Sequence, residues 1–322
     1  MSIRIGTASW ADQGLIDTGR FYPPEVRTPA ARLQYYATQF PLVEVDTSYY
    51  SIPASHAARQ WAERTPTGFR MNVKAFRLFT GHQTSPAVLP AEVREALPQA
   101  LKLKSVLYYR ELPGELVDAL WHRFVQALLP LRYSGRLGLV HFQFPPWLVR
   151  NRAGHAHVAH CVERMEGFKL STEFRNISWL ADEHAAETLA FQRSLGTVHT
   201  IVDEPQGFSN SVPAVWDTTH DAQALVRLHG RNAGSWGYSG ARSSGRFNYD
   251  YDEAELEGLA RQILTKLDRP GLDIHVILNN NAEDQAQRNG RTLMRVMDAL
   301  GANVAKPAAA SAPMGDLFEL QA

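Results

Sequence analysis

An α/β fold, a single (β/α)8 TIM-type barrel, is predicted by three features of the 322-residue sequence. Short runs rich in Val, Ile, Leu and Phe recur from end to end, and most are followed by a segment with helical spacing, the order expected of parallel strands joined by crossover helices. Inside those runs the polar residues keep to one parity. The length suits a barrel of about 250 residues plus insertions.

The strand candidates are Ile3 to Trp10, Leu42 to Tyr49, Phe69 to Ala75, Leu137 to Phe144, Phe168 to Phe174, Val198 to Glu204, Ala224 to Gly230 and Ile274 to Asn280. Helical spacing is clear at Leu33, Tyr36, Ala37 and Phe40, after a Thr28-Pro29 start that supplies an N-cap and a first-turn proline. It recurs from Val117 to Leu128, from Leu256 to Leu267 and from Leu293 to Leu300. Weaker helices are expected at Ser55 to Arg64, Gly154 to Glu166 and Ala181 to Gly196. Two units depart from the pattern: a long insertion, Phe76 to Pro113, follows strand three, and the short link Pro205 to Gln223 leaves helix six short or missing. The barrel domain is expected over residues 1–302, with an Ala/Pro-rich flexible tail at 303–322.

Composition narrows the class. Hydrophobic residues make up 44% and charged residues 20%, which is globular and excludes disorder over the whole length. With 33 Lys+Arg against 33 Asp+Glu the formal charge is zero, so no global basic field exists to hold a polyanion. The single cysteine, Cys161, excludes an intramolecular disulfide framework and any multi-cysteine metal site, and suits a reducing compartment. The first residues enter a strand pattern without the features of a signal peptide, and no run of about 18 apolar residues occurs. A cytoplasmic protein with no membrane partner is expected.

Alternate residues of a strand face the same way. Glu44 and Asp46 therefore share a face, as do Asn72 with Lys74, His141 with Gln143, Glu173 with Arg175, Arg227 with His229, and His275 with Asn279. Helices cover the outside of a barrel, so this polar face must point inward, toward the C-terminal mouth where barrel enzymes work. Either a network of structural ion pairs or a ligand site would explain so many inward ionisable groups, since each buried charge needs a partner. The ligand site is the preferred expectation.

The ordered motifs Ile5-Gly6-Thr7-Ala8-Ser9-Trp10, Phe21-Tyr22-Pro23, Glu44-Val-Asp46-Thr47-Ser48-Tyr49-Tyr50, Gln143-Phe-Pro145-Pro146, Glu173-Phe-Arg175-Asn-Ile-Ser-Trp179, Asp203-Glu-Pro205, Arg227-Leu-His229-Gly230-Arg231 and Asn279-Asn280-Asn281 closely resemble the YecE-like proteins, also called the domain of unknown function 72 family. The resemblance runs from about Ile3 to Leu300. It implies a TIM-type barrel and supplies no reaction. The segment near His82 is spaced differently from the family's pattern, so the resemblance gives His82 no role.

The side chains themselves allow several chemistries. Glu44, Asp46, Glu173 and Asp203 beside His229 would suit a divalent metal, the one cofactor the pattern suggests, but Lys74, Arg175 and Arg227 compete to neutralise the same carboxylates. Without a metal, Glu173 and Asp203 are candidates for general acid and base. Lys74 is either a base or Schiff-base nucleophile with a lowered pKa or, as preferred, a charged partner of Glu44 or Glu173 that orients a ligand. Beyond strand seven, Arg227, Arg231, Arg242 and Arg246 lie among glycines, and arginine forks match phosphate oxygens, so an anionic ligand is expected there. Trp10, Tyr49, Tyr50, Trp179 and Trp236 offer faces for stacking. Gln143, Asn279 and Asn280 offer hydrogen bonds.

The leading expectation is an enzyme of hydrolase or lyase type acting on a small or oligomeric anionic, including phosphorylated, substrate. Glu44, Asp46, Lys74, Glu173, Asp203 and His229 are its candidate catalytic residues, and Trp10, Tyr49, Gln143, Arg175, Arg227, Arg231, Asn279 and Asn280 its ligand-binding ones. The alternatives are a nucleic-acid binding or repair factor and a ligand-binding protein without turnover. The tail segment Met314 to Leu320 reads as a frayed end or as a peptide that docks on a partner.

Overall fold

The structure, a computed structural model, describes residues 1–236 and 245–307. Eight strands close into one parallel barrel in sequence order. They are β1 (Ser2–Ala8), β2 (Leu42–Val45), β3 (Arg70–Lys74), β4 (Leu137–Gln143), β5 (Leu170–Glu173), β6 (Val198–Asp203), β7 (Gln223–Leu228) and β8 (Asp273–Leu278). Each coincides with one of the apolar runs. The second is shorter than expected, because Ser48 donates its hydroxyl proton toward the carbonyls of Val45 (2.8 Å) and Lys74 (2.7 Å), occupying acceptors the ladder would need. Helix α3 (Thr47–Tyr50) begins there instead, preceded in the chain by α1 (Gln13–Thr18) and α2 (Pro29–Gln39).

The outer layer follows the apolar periodicity. In α2 the Thr28 side chain accepts from the Ala31 N–H and Pro29 occupies the first turn, as its sequence indicates. The later helices are α4 (Ser55–Glu63), α5 (Ala91–Ala96), α6 (Gln99–Lys102), α7 (Gly114–Tyr133), α8 (Arg152–Glu163), α9 (Asp182–Ser194), α10 (Glu253–Lys266) and α11 (Gln285–Ala299). No helix separates β6 from β7. Residues 303–305 continue the barrel's packing: Val304 bridges Ile3 in parallel, and the Ala305 N–H reaches the Ile3 carbonyl at 2.8 Å. The tail peptide Met314 to Leu320 lies outside the described residues.

The insertion after β3 is not a loose loop. Thr84 and Leu107 bridge its two arms, and Leu89, Val93, Leu97, Leu107 and Leu112 are buried in the main core. Phe79 stacks on Trp121 of α7 with ring centroids 3.7 Å apart. This anchoring fixes the segment that crosses the mouth of the barrel.

Inside the barrel, Ala8, Leu42, Leu139, Val198, Leu225 and Ile277 form an apolar cluster. Gly6 belongs to the same parity, and there the strands approach so closely that a Cβ would lie 2.0 Å from the Leu42 carbonyl oxygen. Two residues further along β2, β4 and β7 the interior turns polar, at Glu44, His141 and Arg227.

Candidate functional site

The polar interior has a deep layer and a mouth layer. In the deep layer, Arg227 of β7 donates to Glu44 of β2 at 2.6 Å and to Glu173 of β5 at 2.5 Å, with all three side chains fully buried. Glu173 also accepts from Gln143 (2.7 Å) and from Arg175 Nε (2.5 Å), and His141 Nε2 stands 3.3 Å from it. Burial alone would raise the Glu173 carboxyl, but Arg175 and Arg227 outweigh it and hold it well below the usual range. Burial likewise disfavours the Arg227 charge, and Glu173 and Glu44 more than restore it.

Arg175 links this layer to the mouth. Its Nε meets Glu173, its Nη1 donates to Glu204 at 3.0 Å, and its Nη2 lies 3.0 Å from His229 Nε2. A guanidinium only donates, so His229 Nε2 must accept and the ring is neutral with its proton on Nδ1. The Asn279 amide nitrogen stands 2.9 Å from Nδ1, and since an NH2 group cannot accept that proton, the pairing assigns the Asn279 amide the opposite orientation, with its oxygen toward Nδ1. Burial and then Arg175 push the His229 pKa well below its ordinary value, in agreement with this assignment. Glu204 is different: burial raises it to about 7, against the pull of Arg175. Its second oxygen accepts the Val212 N–H at 2.8 Å.

Above Arg175 the C-terminal mouth opens into a cavity of about 320 Å³. Lys74, Arg175 and Arg246 line it with, among the described residues, a single carboxylate, Asp46. Asp46 precedes α3 yet makes no capping bond with its side chain; its carboxylate turns to Lys74 Nζ at 3.1 Å. Lys74 Nζ also sits 4.7 Å from the centroid of the Tyr49 ring. His82 contributes from the insertion, its Nδ1 held 2.8 Å from the Thr80 hydroxyl. Burial, then Arg77, Lys74 and Arg175, lower the His82 pKa to about 3, so this imidazole is neutral. The half-exposed Trp147 lies against it.

Of the residues singled out in the sequence, Asp46, Lys74, Tyr49, Gln143, Arg175 and Asn279 line this one cavity. Glu44, Glu173, Arg227 and His229 are joined to it from beneath, through Arg175 and Asn279. The others stand apart. Asp203 pairs in register with Leu228, whose side chain packs among the outer helices, so it lies on the opposite face of β6 from Val202 and Glu204. There it accepts from Arg231 (2.9 Å) and from the Tyr251 hydroxyl (2.6 Å). Arg231 is thereby committed to Asp203 and Glu255. Trp10 is buried against Trp61, and Asn280 donates to the Tyr249 carbonyl and to Asn289. Tyr50 lines the cavity, whereas Trp179 is core and Trp236 is buried beside Arg175. Arg242 lies outside the described residues.

Asn210, Trp147 and Phe247 line the cavity without a signal in the sequence, and His82 and Asn281 line it without a role assigned to them there. They come from loops, where no periodicity marks a facing side. Glu204 was one residue from the candidate Asp203.

Among the described residues, no group of three or more His, Cys, Asp and Glu side chains is arranged to hold a metal ion. Glu44, Asp46, Glu173 and Asp203 meet arginine or lysine nitrogens instead. Nor is any described helix long and apolar enough to cross a membrane.

Comparison with known proteins is consistent in fold and sequence. The family model "Protein of unknown function DUF72" matches residues 4–314. The UPF0759 protein YunF of Bacillus subtilis (strain 168) is 32% identical over 300 residues, which span 92% of this chain and 95% of YunF. A crystal structure of a DUF72 family protein from Thermotoga maritima MSB8 aligns over 92% of this chain and 100% of its own, with a TM-score of 0.71 and 26% identity. Another, from Enterococcus faecalis V583, shares the fold with a TM-score of 0.73 at 24% identity, over 92% of this chain and 95% of its own.

Proposed function

The chain belongs to the DUF72 family of proteins of unknown function, and we propose that it is an enzyme that binds an anionic, including phosphorylated, substrate at the C-terminal mouth of its barrel and acts on it by acid–base chemistry of hydrolase or lyase type. One observation carries the proposal: Asp46 is the sole carboxylate among the described residues of a cavity that also holds Lys74, Arg175 and Arg246. Arg175 is shared with Glu173 and Glu204 beneath and Lys74 with Asp46, but the lining itself carries more positive than negative charge, which favours an anion. The carboxylate, held by Lys74 and still partly open to solvent, is the group free to move a proton.

In this reading Lys74, Arg175 and Arg246 receive the anion and stabilise charge that develops on it. Gln143 and Asn279 orient the ligand by hydrogen bonds. Glu173 is a positioning residue, since its oxygens are already filled by Gln143, Arg175 and Arg227. Glu44 and Arg227 brace it from below. A cytoplasmic setting is part of the proposal, supported by the lone, buried Cys161.

The test is a comparison of the wild-type chain and Asp46→Asn against a pool of anionic metabolites, followed by mass spectrometry. Depletion of one species by wild type and its persistence with the variant, at equal binding of that species, is the expected result. Equal depletion by both proteins would remove Asp46 from the chemistry. Binding of an anionic metabolite that neither protein converts would leave a ligand-binding protein without turnover.

A further inference from the structure

The lining of the cavity says more about the ligand than its charge. We propose that the anionic group is carried by a single polyhydroxylated ring, a monosaccharide phosphate or sugar acid, which stacks on Trp147; this rests on the anion-binding reading above.

Size comes first. A cavity of about 320 Å³ stands at the small end of metabolite sites and holds one ring rather than a chain of them.

An aromatic wall comes second. Tyr50 meets Tyr49 edge to face with centroids 5.0 Å apart, Tyr49 meets His82 at 5.4 Å, and His82 meets Trp147 at 5.5 Å. The two inner rings, Tyr49 and His82, are partly buried, and the two ends are open, with Tyr50 51% and Trp147 54% exposed. Trp147 is not free to fold away, because its indole N–H donates to the Gly81 carbonyl at 3.2 Å. A large apolar ring pinned open beside a polar cavity is a platform for the C–H face of a sugar or another ring.

The remaining lining decides which ring. Gln143, Asn210, Asn279 and Asn281 present neutral amides to the cavity. An amide both donates and accepts, as each hydroxyl of a sugar does. Asn281 is almost wholly buried, and among the described residues its Oδ1 has no partner. An unmet buried acceptor is costly, and a ligand hydroxyl would satisfy it. Amides for hydroxyls, cations for the acid group and an indole for the ring face together fit an acidic sugar.

The test is calorimetric titration of the full chain with glucose 6-phosphate, ribose 5-phosphate, glucuronate, glucose, inorganic phosphate and a nucleoside monophosphate. At least one acidic sugar should bind about tenfold or more tightly than both inorganic phosphate and glucose. Trp147→Ala should remove that advantage and leave phosphate binding as it was, while Trp147→Phe retains most of it. Arg246→Met should weaken phosphate and acidic sugar alike. Acidic sugars that bind no better than phosphate would overturn the ring while leaving the anion site standing. A nucleoside monophosphate that binds most tightly would overturn it in favour of a base. Failure of every anion to bind would overturn both readings.

Discussion

Arg227 and Glu44, 183 positions apart in sequence, meet at 2.6 Å across the interior of the barrel. The other arm of the same guanidinium reaches Glu173, and Glu173 in turn holds Arg175. A charge relay of this kind connects β2, β5 and β7 below the cavity, so the position of Arg175 at the mouth depends on side chains that no ligand touches. Buried ion pairs are poor sources of net stability, yet removal of one partner is severe because the other charge is left without compensation.

Glu173→Gln should therefore destabilise the fold by about 3–5 kcal/mol, since two buried arginines lose their shared carboxylate. Urea denaturation monitored by circular dichroism measures it. A loss of under about 1 kcal/mol, the range of exposed pairs, would show that the network is not sustained in solution.

Asp46→Asn should behave oppositely. Its carboxylate is partly exposed and, among the described residues, pairs only with Lys74, and the amide still accepts from that ammonium, so stability should change by less than about 1 kcal/mol. Turnover of the substrate should fall by about a hundredfold or more, the usual weight of a general acid or base. Retained activity in a steady-state assay would contradict the role assigned to this residue.

Glu204 gives a pH signature. Burial holds its proton up to about pH 7 in the fold, whereas an unfolded chain releases it near the ordinary value of about 4.3. The folded state thus binds the proton more firmly, and this group's contribution to stability is full below the lower value, falls as pH rises, and is gone above about 7. Glu204→Gln cannot titrate, so its stability relative to wild type should rise between pH 5 and pH 7.5. A constant difference across that window, measured by thermal melting in matched buffers, would sink the assignment.

Gly6→Ala should cost about 3 kcal/mol or more, because a methyl group 2.0 Å from the Leu42 carbonyl oxygen would force β1 from β2. A denaturation midpoint close to that of wild type would mean that the barrel closes less tightly there.

Strand alternation carried most of the site into view from the sequence. It placed Asp46, Lys74, Gln143, Arg175 and Asn279 on one surface, because toward the ends of β2, β3, β4, β5 and β8 one parity is apolar and the other polar. β6 carries no such contrast: Val198, Thr200 and Val202 face inward, and His199, Ile201 and Asp203 outward, so hydrophobicity does not say which acid enters the barrel. Asp203 lies on the outer face, and Glu204 is the inward acid that meets Arg175. His82 and Trp147 were beyond reach for another reason. Their positions depend on how the insertion after β3 and the loop after β4 pack against each other, a long-range arrangement that leaves no local period.

The seven tryptophans of the chain offer an optical consequence. Trp10, Trp121, Trp179 and Trp236 are buried, Trp61 and Trp216 are partly covered, and Trp147 alone is exposed. The red edge of the intrinsic emission, and its quenching by iodide or acrylamide, therefore originates chiefly at the rim of the barrel. A guest that settles over that indole would shift the emission to the blue without any label, so compound collections can be surveyed by light alone.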